Sequence, residues 1–138
     1  MKIRADEHVS PKIVQALRVI SLGLERTLSH VSEKGQAGTP DISWAKNFSE
    51  NGGTAILTSD KGFIKGQQRK AIEATGLQVV LLPEKWAWST AYRQAAFILF
   101  WWSKIEEAVS EGRSSDIWIM RWGFNADGKL KKHKRKKK

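Results

Sequence analysis

Cysteine is absent from the 138 residues. That excludes disulfides and thiolate metal sites, and it suits a reducing cytoplasm. No long apolar run occurs either. The longest, "AAFILFWW" at 95–102, falls well short of the ~20 residues a membrane-spanning helix needs. The first ten residues, "MKIRADEHVS", lack the apolar centre of a signal peptide. A soluble, cytoplasmic chain with no membrane contact is therefore expected. No internal repeat is apparent. What is present is the apolar content of a globular protein, 41%, in a length that suits one domain.

Acids are missing from one place in particular. The last ten residues, "KLKKHKRKKK", contain none, and they hold eight of the 24 Lys and Arg. The formal charge is +10, but without those ten residues 16 basic side chains face 14 acidic ones, or +2. The expectation is a nearly neutral folded domain over 1–124 and a basic tail over 125–138. Such a block repels itself and buries no apolar area, so it is expected to be disordered alone.

Along the body, strand-like and helix-like stretches alternate. "MKIRA" reads as a first strand. Ser10 and Pro11 then open a helix with Ile13, Val14, Leu17 and Ile20 at helical spacing, closed by Gly23. A weak second strand falls at 24–31. Thr39 and Pro40 start a second helix that stops at Gly52 and Gly53. "TAILT" and "LQVVLL" are continuous apolar strands, separated by a segment that is helical in its second half and ends at Gly76. A long helix over about 88–110 and a last strand in "SDIWIMRW" complete the order. Alternation of this kind gives right-handed crossovers, hence a three-layer α/β/α sandwich on a mainly parallel sheet of about five strands.

That order has a chemical consequence, because strand-to-helix turns of a parallel sheet lie at its carboxyl edge, where ligands bind. Asp6 and Glu7 follow the first strand, Asp60 follows the third, and Asp41 opens the helix after the second. Taken singly, Asp60 could be a helix N-cap and Asp41 a complement to its helix dipole. Asp6 has no capping task, since Ser10 and Pro11 already mark the helix start. Together the acids need a compensating cation. With His8 the only imidazole nearby, the hard oxygen set favours Mg²⁺ or Mn²⁺, ions suited to phosphodiester hydrolysis. His8 itself is read as bonding locally or facing substrate, not as a ligand.

"MKIRADEHVSPKIVQALR" followed by "GTPDISWAKNFSENGGTAILTSDKGF" resembles the PIN-like domain family, particularly its small VapC-like toxins. In that family an acid follows the first strand, another opens a central helix, and a T-x-D-x-x-F segment ends a middle strand. Here those positions are Asp6, Asp41 and Asp60, with Thr58 and Phe63 completing the last motif. The resemblance covers roughly residues 1–82. It departs at one point, a glutamate that many members carry in the helical region between the first two acids. Glu25 and Glu33 fall in an expected strand and loop, and Glu7 is the substitute.

The resemblance implies a Mg²⁺-dependent endoribonuclease, often the toxin of a toxin–antitoxin pair. Asp6, Asp41 and Asp60 would hold the ion, with Glu7 as a further catalytic acid. Activated water would attack phosphorus in line, leaving a 5′-phosphate and a 3′-hydroxyl. RNA as substrate and an antitoxin as partner come from the resemblance alone.

Other residues are read beside this. Thr58 and Ser59 either orient an aspartate from behind or simply end the strand. Lys61, Lys65, Lys131, Lys132, Lys134 and Arg135 are the expected RNA-phosphate contacts, solvation or an acidic partner being the alternative. The helix containing Trp101 and Trp102 is apolar nearly all round, which points to core packing, or to pairing with an antitoxin or a second copy as a homodimer. Trp86, Trp88 and Trp122 are candidates for stacking on unpaired bases. A non-catalytic nucleic-acid-binding module driven by the basic tail is the alternative function. A phosphatase-type domain is disfavoured, because no acidic strand end is followed by a phosphate-cradling glycine turn.

Overall fold

A computed structural model describes residues 1–20, 27–34, 38 and 40–133. In chain order it contains β1 (Ile3–Ala5), α1 (Pro11–Ile20), β2 (Leu28–His30), α2 (Asp41–Glu50), β3 (Ala55–Thr58), α3 (Gly66–Thr75), β4 (Gln78–Leu81), α4 (Glu84–Ala87), α5 (Ala91–Glu111), β5 (Ile117–Ile119) and β6 (Lys131–Lys132). Short 3₁₀ turns lie at Val31–Lys34 and Lys61–Ile64. Local chemistry accounts for the boundaries. Ser10 Oγ accepts the Lys12 amide at 3.2 Å ahead of α1, and Gly76 ends α3 in the left-handed region at φ 80°. The positions of Gly23, Glu25 and Thr39 lie outside the described residues.

The strands stand in the order β2-β1-β3-β4-β5-β6. All neighbours are parallel except β5 and β6, which are antiparallel. Every position of β1, β3 and β4 is buried, as a sheet covered on both faces requires. Alternate residues serve two cores. Ala55, Leu57 and Val80 join Phe97, Ile98 and Trp101 on the side of α1 and α5. Ile56 and Val79 join Trp44, Phe48, Phe63 and Ile72 on the side of α2 and α3. This is the expected α/β/α sandwich. From β1 the chain turns outward to β2 and then returns to β3 on the other flank, so the crevice between β1 and β3 is the sheet's topological switch point.

The end of the chain departs from expectation. Beyond 124, where a tail was expected, Leu130 packs against the first core. Lys131 and Lys132 pair with Ile119 and Trp118, and the His133 amide donates to the Ile117 carbonyl at 2.8 Å. Among the described residues the sheet thus has six strands. Backbone pairing needs no apolar side chain, and a very short lysine-bearing strand is a usual way to finish a sheet edge.

Glu33 fastens β2 to α1. Its carboxylate accepts from both terminal guanidinium nitrogens of Arg18 at 2.6 Å and from the His30 amide at 2.7 Å. The Arg18 hydrogen bonds hold the Glu33 carboxyl below its ordinary value. A depressed acid adds stability above its unfolded pKa and loses it as pH falls through the folded value. Wild type should therefore be the more heat-stable at neutral pH and converge with Glu33→Gln in acid. Melting curves taken across pH test this, and a constant difference would reject it.

Candidate active site at the carboxyl edge of the sheet

Asp6 continues the β1 ladder by one residue, its amide donating to the Leu57 carbonyl at 3.2 Å. That pairing carries the side chain into the switch-point crevice, where it is 1% exposed. The Thr58 hydroxyl donates to Asp6 Oδ2 at 2.6 Å. His8 Nδ1 stands 3.0 Å from the same oxygen, and the His8 amide donates to Oδ1 at 3.1 Å. Burial pushes the Asp6 carboxyl up, partly offset by the hydrogen bonds from Thr58 and His8. The turn is buttressed by His30, whose Nε2 donates to the Val9 carbonyl at 2.7 Å.

Asp60 is joined to Asp6 through Thr58. While donating to Asp6, Thr58 Oγ1 accepts the Asp60 amide at 3.0 Å. Asp60 Oδ1 caps the following 3₁₀ turn by accepting the Gly62 amide at 2.8 Å. Asp41, half-buried at the start of α2, accepts Trp44 Nε1 at 3.1 Å on Oδ1 and Gln68 Nε2 at 3.1 Å on Oδ2. Gln68 in turn reaches the Asp60 turn. A Cβ placed on Gly62 would lie 3.0 Å from Asp60 Oδ1 and 3.2 Å from Gln68 Oε1. Thr58 thus bonds the Asp6 and Asp60 segments to each other, Gln68 bonds Asp41 and lies close to Gly62, and the charges of all three acids reach His8. Burial alone would lower His8, but its bond to Asp6 and the charges of Asp6, Asp60 and Asp41 outweigh burial and raise it.

The other expected residues fall variously. The Glu7 carboxylate accepts the Gly38 amide and is exposed, so its contact fastens the segment leading to α2. Thr58, not Ser59, is the hydroxyl that links the acids. Lys61, next to Asp60 in the chain, and Lys65 are exposed, with Lys61 Nζ 3.6 Å from Glu84. Lys131 and Lys132 are exposed on β6, and Lys132 also meets Asp116 at 3.2 Å. Lys134 and Arg135 lie outside the described residues. Trp86 cannot stack on a base. It is 1% exposed, with Nε1 donating to the Gln94 carbonyl, whereas Trp88 is open and Trp122 half-buried. Gln68 and His30 were missed, because a lone glutamine on a polar helix and a strand-end histidine give no signal in sequence.

The chemistry of the donor set fits a divalent ion: three carboxylates, no thiol, and one imidazole already bonded to a carboxylate. Its spacing does not form a closed cage. Among the described residues no group of three His, Asp or Glu side chains is placed to surround a metal. Mg²⁺ binds through one or two carboxylates and keeps several waters, so an edge of this kind suits it without such a cage.

A family model described as a PIN like domain matches residues 1–84. The chain belongs to the PIN-like domain family. No curated protein and no solved structure matches it. The PIN-like match begins with β1 and ends at the start of α4, so it includes Asp6, Asp41 and Asp60 and leaves α5, β5 and β6 outside. PIN-like domains have a nuclease-type fold and are commonly nucleases. No helix among the described residues is long and apolar enough to cross a membrane.

Because Thr58 joins two acids of this PIN-like edge from a fully buried position, its removal has a defined signature. Thr58→Val keeps the shape but removes the donor to Asp6 and the acceptor for the Asp60 amide. Stability should fall by about 1.5–3 kcal/mol, the range for a hydrogen bond to a charged group. Urea denaturation measures this, and Thr58→Ser should restore most of it. Equal stability of the valine variant would mean the hydroxyl holds nothing.

Proposed function

We propose that this protein is a metal-dependent endoribonuclease that hydrolyses RNA phosphodiester bonds at the β1–β3 crevice. The observation that carries this reading is the buried Asp6–Thr58–Asp60 link at the switch point of a PIN-like fold. Asp6 and Asp60, with Asp41 beside them, would hold Mg²⁺ or Mn²⁺. When bound, the ion supplies charge neutralisation at phosphorus and lowers the pKa of water.

The remaining work falls to the chain. Thr58 fixes the rotamer of Asp6 and the backbone of Asp60 at once, so the two carboxylates are set before substrate arrives. Gly62 occupies one oxygen of Asp60, leaving Oδ2 without a hydrogen bond among the described residues. Gln68 and Trp44 hold Asp41 at the rim. His8, bonded to Asp6 and half-exposed, stands where it can hold a proton near substrate. The toxin role, with a cognate antitoxin or a second copy as partner, is the finer part of this reading and rests on the resemblance of the first 82 residues to VapC-like toxins.

The test is cleavage of labelled single-stranded RNA in Mg²⁺, in Mn²⁺ and in EDTA. Cleavage in either ion, none in EDTA, and 5′-phosphate ends on the products are expected. Salt-sensitive binding with no cleavage in any metal would instead favour a non-catalytic binding module.

A further inference from the structure

A run of basic side chains extends from Lys61, beside Asp60 in the chain, to Lys85, Arg121, Lys129 and Lys131 beyond the family-matched stretch. Two cavities meet along the carboxyl edge of β4 and β5. One, of about 440 Å³, runs from Lys61 past Leu82 and Lys85 to Arg121 and Trp122. The next, of about 430 Å³, is lined by Trp101 and Trp122 together with Arg121, Lys129 and Lys131. They share Ile119, Met120, Arg121 and Trp122, so they form one groove. It starts at the residue after Asp60 and crosses to β5, roughly 10 Å away at two strand spacings of ~4.8 Å.

Charge selects the occupant. Glu84 is the one acid among the described lining residues, and Lys61 already faces it. Lys85, Arg121, Lys129 and Lys131 are exposed and enter no ion pair among the described residues. Cations left uncompensated along an open path suit a phosphate backbone.

The second cavity adds an aromatic wall. Trp122 is stacked on Phe97 with centroids 5.0 Å apart and planes 22° from parallel, which fixes its ring. What Trp122 leaves uncovered lines both cavities. Trp101 is 6% exposed and held by its Nε1 bond to the Gly123 carbonyl at 2.8 Å, so most of the exposed ring belongs to Trp122. Gly128 closes the wall, since a Cβ there would come within 2.5 Å of the Trp101 ring. A rigid aromatic wall beside free cations is how sequence-tolerant single-strand sites are built.

We propose that this groove binds single-stranded RNA, with Lys61, Lys85 and Arg121 on its phosphates and one unpaired nucleobase seated in the Trp101–Trp122 cavity. The proposal rests on the ribonuclease reading for the choice of RNA, and it places the scissile phosphate at the Lys61 end of the path.

The experiment measures binding of a short labelled single-stranded RNA to the full chain in EDTA, where turnover is off, over a range of salt. Arg121→Glu should weaken binding roughly tenfold and lower the salt slope by ~0.7 for each phosphate that is no longer neutralised, the single-strand value. An abasic site moved along the RNA should weaken binding roughly tenfold at one position, as removal of one base–aromatic stack does. Trp122→Leu should remove that position dependence. If this variant is unstable, crosslinking of 4-thiouridine RNA to residues 117–133 of the wild type tests the same stacking.

Wild-type affinity in Arg121→Glu would overturn the path. Duplex RNA binding as tightly as the single strand, or an abasic scan without a minimum, would overturn the base pocket. A poly-glutamate peptide that displaces the RNA at equal charge concentration would assign the groove to an acidic protein instead. The two readings fail separately. No cleavage in Mg²⁺ with Arg121-dependent binding retains the groove and rejects the nuclease, while cleavage with an unchanged KM in Arg121→Glu does the reverse.

Discussion

Replacing Asp6 by asparagine should abolish the proposed RNA cleavage while leaving the protein at least as stable. The expected fall in rate is at least ~10²–10³-fold, the scale on which loss of one preorganised electrostatic group is felt. Asparagine is nearly isosteric. Its oxygen can still accept the His8 amide, and Thr58 and His8 can turn from donor to acceptor toward its nitrogen. The stability side follows from burial, which raises the Asp6 carboxyl above its ordinary value. A raised acid binds its proton more tightly in the folded state, so stability declines as pH rises from the unfolded pKa through the folded one. Above the folded pKa that cost is fully present, and the neutral amide removes it. Asp60→Asn should show the same loss of cleavage and keep its Gly62 cap through Oδ1. Cleavage rates and melting temperatures measured together check both halves. Wild-type turnover in both variants would end the nuclease reading.

The largest effect on folding should come from Phe97→Ala, at about 3–5 kcal/mol. Phe97 is fully buried in α5 and meets three rings: Trp101 at 6.2 Å, Trp122 at 5.0 Å and Phe124 at 5.9 Å. These rings join α5 to the segment after β5, so truncation both opens a cavity and loosens that segment. The loss is a large share of the ~5–15 kcal/mol that holds a typical domain. Urea denaturation gives the magnitude, and Phe97→Leu should cost clearly less. A penalty under ~1 kcal/mol would mean the aromatic cluster collapses onto the gap.

The aspartates were legible because their placement depends only on element order. Ser10, Pro11, Pro40 and Gly76 punctuate the chain, the apolar runs between them alternate, and a parallel sheet then dictates which edge Asp6, Asp41 and Asp60 share. What the pattern could not give was how they are joined. Thr58 serves both strand and site, and its side chain is aimed by the pleat, so a spacing argument sees only the end of a strand. Gln68 reaches Asp41 from a helix whose exposed face gives glutamine no reason to stand out. Glu7 sits beside Asp6 in sequence, yet it accepts the Gly38 amide, because successive side chains leave a turn in different directions. The sixth strand was hidden by its own composition. Charge argued for a solvated tail, while the bonds that order Lys131 and Lys132 are made by the backbone.

That last strand also makes the basic end hard to shed. Cutting the chain before residue 129 would remove lysines and, in the same stroke, strip β5 of the antiparallel partner that occupies the Ile117 carbonyl. A newly bared edge next to Trp118 is a template for other chains, so the truncated protein should aggregate or self-pair at concentrations where the full chain does not. Loss of RNA binding on truncation would then report a blocked edge as much as missing charge. Glutamine at 131 and 132 separates the two, removing the charge and keeping the hem of the sheet sewn.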